Sequence, residues 1–120
     1  MAALVTFSLP ARRGCALAGQ QDATYQVRFT GPVSVDQTRH DLVVMHNGSP
    51  LTRTDLCINT EMVGMSGMGY SNKGRLVGPG RFQVAFQFGM AGDYRGNVVV
   101  HEHGNEISIP VKVKVAPPAH

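Results

Sequence analysis

Six methionines occur in 120 residues, and three of them fall at every third position in Glu61-Met62-Val63-Gly64-Met65-Ser66-Gly67-Met68-Gly69. On a helix this spacing would gather the thioethers into one stripe. Three glycines and Ser66 in the same stretch oppose a helix, so a pliable loop is expected. Thioether sulfur is a neutral, soft donor, and soft donors select Cu(I) over Zn(II) or Mg(II). It has no proton to lose, so affinity should depend little on pH, unlike that of thiolate or imidazole sites. Met90 sits in a second glycine-bounded connection, Gly89-Met90-Ala91-Gly92. The candidate metal donors are therefore Met62, Met65, Met68 and Met90. Packing competes with this reading: methionine fills irregular gaps, and a loop folded over the end of a sheet could bury these side chains. The residues alone leave both open.

The histidines form a weaker set. His101-Glu102-His103 would put two imidazoles on one face of a strand, ~6.6–6.8 Å apart, and could hold Cu(II) or Zn(II). Beside a turn, the same pattern more often marks a solvated face. His46 ends an expected strand and could add one imidazole; His40 and His120 read as surface. Cys15 and Cys57 permit one disulfide without requiring it, and no CxxC pair or Cys/His zinc spacing occurs. Cys57 otherwise reads as a small, half-buried strand residue. No GxSxG, P-loop, HExxH or dinucleotide fingerprint is present, so an enzyme is not expected.

The elements that must position these residues have period two, not 3.6. Tyr25, Val27 and Phe29 alternate with Gln26 and Arg28. Leu42 and Val44 share a face in the stretch from Arg39 to His46, which ends at the turn cluster Asn47-Gly48-Ser49-Pro50. Leu56, Ile58, Thr60 and Met62 form one face of the next strand. A loop is expected from Val63 to Asn72 and a short strand from Lys73 to Val77. Gly78-Pro79-Gly80 then turns the chain into Arg81–Phe88, where Phe82, Val84, Phe86 and Phe88 alternate with polar neighbours. Tyr94, Gly96, Val98 and Val100 mark one further face, and Ile107, Ile109, Val111, Val113 and Val115 mark the last. Pro110 in that last strand fits a sheet edge. These segments predict an all-β fold, a single antiparallel immunoglobulin-like β-sandwich of six or seven strands.

Length, charge and composition set outer bounds. One domain is expected, over residues 20–116, with a Pro-rich tail at 117–120. With 42% hydrophobic and 16% charged residues, the chain is too apolar for disorder, and no apolar run suits a membrane span. The net charge of +3 is spread over scattered basic residues, which argues against nucleic acid. Residues 1–19 read as a degenerate export signal or disordered segment. Ala16-Leu17-Ala18 has a signal-peptidase form, but too short an apolar stretch precedes it. The mature domain is expected to begin near Gly19.

In sum the pattern resembles the YtkA-like/FixH family of small exported copper-associated domains. The resemblance rests on the Asn47-Gly48-Ser49-Pro50 turn, the methionine loop and Gly78-Pro79-Gly80-Arg81-Phe82. It continues through Phe88-Gly89-Met90-Ala91-Gly92-Asp93-Tyr94, Val98-Val99-Val100 and Val111-Lys112-Val113. Tyr94 stands where that family commonly has Trp. The resemblance implies an immunoglobulin-like sandwich in the periplasm or another extracytoplasmic space. It also implies copper handling, as a chaperone or in oxidase assembly, with a copper-donating or copper-receiving protein as partner. The alternative is a metal-free protein-interaction module on the same framework.

Overall fold

The computed structural model describes Cys15 and residues 18–52, 54–65 and 69–118. Among these residues there is no helix, and ten strands follow in order: β1 (Gln20–Gln21), β2 (Tyr25–Phe29), β3 (Val33–Ser34), β4 (His40–His46), β5 (Ser49–Pro50), β6 (Leu56–Met62), β7 (Gly69–Gly78), β8 (Arg81–Val84), β9 (Gly92–Glu102) and β10 (Asn105–Ala116). The expected all-β class holds, and seven of the ten strands have four residues or more.

The strands form one continuous sheet, ordered β1-β10-β9-β6-β7-β8-β4-β2, with β3 added to β10 and β5 to β4. The long pairs are antiparallel; β1 and β3 join β10 in parallel. Two separate sheets had been expected. A twisted sheet with a single apolar face can instead bury that face by curling on itself. Tyr25 and Leu42 from one end of the strand order share a cluster with Ile109 and Val111 from the other, so the sheet closes toward a half-barrel.

Period-two patterning located most strands. Leu56, Ile58, Thr60 and Met62 are buried along β6, and Ile107, Ile109, Val111, Val113 and Val115 along β10. The Asn47-Gly48 turn takes left-handed backbone angles at both residues (φ 52° and 80°), which suits a two-residue hairpin between β4 and β5. Two boundaries differ from expectation. β7 begins at Gly69 rather than Lys73, because Gly69–Asn72 gain a full ladder to β6 despite their poor intrinsic strand preference. β8 ends at Val84 rather than Phe88, yet Phe88 remains buried at 1% exposure. Its ring is held by packing rather than by a ladder.

The N-terminal part of the domain is tied across the outer face. Cys15 is disulfide-bonded to Cys57 on β6, resolving the pairing that the sequence left open. Gln20 and Gln21 pair with Ile107 and Ser108 at the far side of β10. Cys15 and Gln20 thus lie on opposite sides of β9, whose Val99 is in register with both Cys57 and Ser108. Cys57, Val99 and Ser108 are all buried although they point away from the main core.

Candidate functional site

The methionine loop leaves the sheet where β6 ends. Met62, its last residue, lies in register with Tyr94 of β9 and is 9% exposed. It packs with Val33, Phe88, Tyr94, Val113 and Val115 in a second apolar cluster. Its methyl group stands against Gly92, where an added Cβ would come within 2.7 Å of it. Gly92 also has φ 147°, so glycine meets both the close approach and the backbone requirement. Packing thus accounts for Met62.

It does not account for Met65 and Met90. Val63 N–H donates to the Asp93 carbonyl (2.9 Å) and Met65 N–H to the Met62 carbonyl (3.1 Å), so the loop begins as a tight turn against the start of β9. Met65 is 42% exposed and Met90 is 45% exposed. Met90 belongs to the connection that enters β9, and two tyrosines fix that connection from below. Tyr94 Oη donates to the Met90 carbonyl at 2.8 Å, and Gly89 N–H donates to Tyr70 Oη at 3.0 Å. The rings of Tyr70, Phe88 and Tyr94 contact one another, with Phe88 and Tyr94 centroids 4.6 Å apart. Burial, and then the neighbouring Tyr70, push the Tyr94 phenol above its ordinary pKa, so it stays a protonated donor.

One end of the β6–β9 pair thus carries Met62, Met65 and Met90 over an aromatic floor. Met68 lies outside the described residues. The anchoring roles of Tyr70 and Tyr94 were not read from sequence; tyrosines flanking glycine-rich connections were the only signal. A thioether set needs no charge compensation, and this floor offers none. That chemistry fits a soft monovalent cation better than a hard divalent one.

His46, His101 and His103 lie at the other end of β9. His101 lies about seven strand residues from Tyr94, roughly 23 Å at ~3.3 Å per residue. His103 is in the turn after β9 with φ 51°, so the same-face spacing of an extended H-x-H does not apply. The His46 ring stacks on Tyr25 with centroids 3.9 Å apart, and Tyr25 Oη donates to the Glu102 carboxylate at 2.9 Å. Burial and that carboxylate push the Tyr25 phenol up to about 12. Among the described residues, no group of three His, Cys, Asp or Glu could hold a metal. His46, His101 and His103 therefore do not join the methionine set.

His40 differs from its expected surface position. It is 3% exposed and faces Phe29, Phe86 and Phe88, the nearest ring centroid being 5.0 Å away. Neither ring nitrogen has a hydrogen-bond partner. Burial lowers its pKa; the Phe86 backbone and Asp41 oppose the shift without supplying a well-formed hydrogen bond. His120 lies outside the described residues.

A curled all-β sheet with this methionine-bearing end places the chain in a class of small β-domains. The family model described as YtkA-like matches residues 18–99, and the chain belongs to that family. A comparison with curated proteins finds no match. Among the described residues, no helix is long and apolar enough to cross a membrane.

Proposed function

We infer that this protein is a non-catalytic, extracytoplasmic Cu(I)-binding protein that buffers copper or passes it to a partner protein. Met65 and Met90 are the accessible donors, Met62 stands behind them, and Met68 is the fourth member. The observation that carries the reading is the exposure of Met65 and Met90 at the same end of the β6–β9 pair, on connections anchored to its backbone. Large apolar side chains left in solvent where packing does not need them suit a transient ligand. An open thioether site also favours exchange with a partner. The extracytoplasmic setting is supported by the Cys15–Cys57 disulfide, since such bonds persist in oxidising compartments. We also read the curled sheet as a variant of the immunoglobulin-like sandwich, on the strength of its antiparallel strand pairs and inward-facing aliphatics.

Titration with Cu(I) against a competing chromophore tests this directly. The double variant Met65→Leu, Met90→Leu should weaken binding at least roughly tenfold, on the order of two lost soft ligands. Its urea midpoint should not change. Undiminished affinity would reject the assignment. Val63, 48% exposed beside Met65, supports a second reading in which this end makes an adaptable contact with a protein. Copper would then leave the melting temperature unmoved, whereas a ligand of the native state must raise it.

A further inference from the structure

The two ends of the sheet path face each other without completing a ladder. The outer edge of β10 is covered at its start by β1, opposite Ile107 and Ser108, and at its end by β3, opposite Val115 and Ala116. Between these short strands, residues 109–114 of β10 face β2, and the two are not hydrogen-bonded neighbours. A groove of about 350 Å3 runs along this seam. Arg28 lines one wall, and Lys112 and Lys114 line the other. All three are exposed, and no aspartate or glutamate contributes to the lining. Lys114 stands opposite Asp93 on β9, whereas Arg28 and Lys112 have no carboxylate directly across the sheet. Arg95, opposite Lys112 on β9, extends the positive face by one strand.

We propose that this seam is a docking groove for an extended, acidic segment of a partner protein. Charge complementarity selects the occupant: three cations against the single carboxylate of Asp93 leave the seam positive, which attracts carboxylates and speeds their encounter. The same cations disfavour a second copy of this chain, which would bring like charges to a two-fold interface. Pro110, lacking an N–H, and the two lysines also discourage a neutral strand from extending the sheet here. A narrow groove suits a single extended chain better than a flat anionic surface does. One end of the groove stops at Val33, which packs in the same cluster as Met62. A bound segment would therefore lie near the methionine end, although the proposal does not depend on copper.

The test uses the full-length, metal-free chain, labelled with 15N and titrated with a short poly-glutamate peptide and its poly-glutamine counterpart. Amide shifts should concentrate at residues 27–31, 33 and 111–114 with the acidic peptide only, and affinity should fall with added salt. The double variant Lys112→Glu, Lys114→Glu should bind roughly tenfold more weakly. The control Lys73→Glu, Arg75→Glu, on outward positions of β7, should bind as the parent does. Shifts spread over all basic surfaces, or an equal loss in the control, would overturn the proposal. So would binding to phosphatidylglycerol vesicles through these residues with no response to the peptide, which would assign the groove to a membrane surface.

Discussion

The two ends of β9 are held by different chemistry. At its start, Phe88, Tyr70 and Tyr94 pack ring against ring beneath Met62, and two phenol hydroxyls pin the backbone of the connection that carries Met90. At its finish, Tyr25 spans from the His46 ring to the Glu102 carboxylate, and Asp22 accepts hydrogen bonds from the backbone and hydroxyl of Thr24. The first end is floored by aromatic rings, with neutral sulfur above it. The second is held by polar side chains, Asp22, Tyr25, His46 and Glu102. A soft cation would gain at the first end without proton release, whereas any imidazole site at the second would weaken with acid.

The contrast can be broken most severely from the aromatic side. Phe88→Ala removes a fully buried ring and should cost about 3–5 kcal/mol in urea denaturation. Tyr25→Phe, which deletes only a hydroxyl bonded to a carboxylate, should cost about 1.5–3 kcal/mol at most. Equal costs would mean that the two ends are not held differently. Replacing both cysteines by serine should cost about 2–4 kcal/mol, because the bond closes a long loop with a sequence separation of 42. Cleavage after Ala18 would remove Cys15 and leave Cys57 as a thiol. Thiol titration of protein isolated from its native compartment therefore reports whether the bond survives processing.

The smallest effect concerns His40, between the aromatic floor and the core. Its folded pKa lies below the ordinary value of 6.5 because burial disfavours the cation. The contribution is complete above that value. As pH falls below 6.5, the unfolded chain takes up the proton first and stability declines. The effect is separate from that of Asp22, whose pKa is lowered from 3.8 by the Thr24 hydrogen bonds and which acts only in stronger acid. His40→Leu should flatten the stability profile as pH falls below about 6.5, the imidazole reference value. Identical slopes in the parent and the variant would show that another group is responsible.

Much of the framework was legible because strand faces are written in alternation. Leu42 and Val44, Phe82 and Val84, and the β10 aliphatics were assigned inward by period alone, and they are inward. The same alternation places His40 in phase with Leu42 and Val44, but its polarity argued for the surface. The loop boundary at Gly69–Asn72 was missed because glycine and asparagine carry no strand signal until β6 supplies their partners. Likewise, nothing local in Cys15 or Gln20 announces that one is bonded to β6 and the other pairs with β10.

Amino-acid order thus determined the strand period, the hairpin turn at Asn47-Gly48 and which residues carry soft donors, since each depends on neighbours a few positions apart. Tertiary structure decided that the sheet is one curled ladder, that Met62 is buried while Met65 and Met90 are exposed, and that His46, His101 and His103 lie at the opposite end. These outcomes depend on register between strands far apart in the chain. Such register is set by closing the common core, which no short stretch of residues encodes.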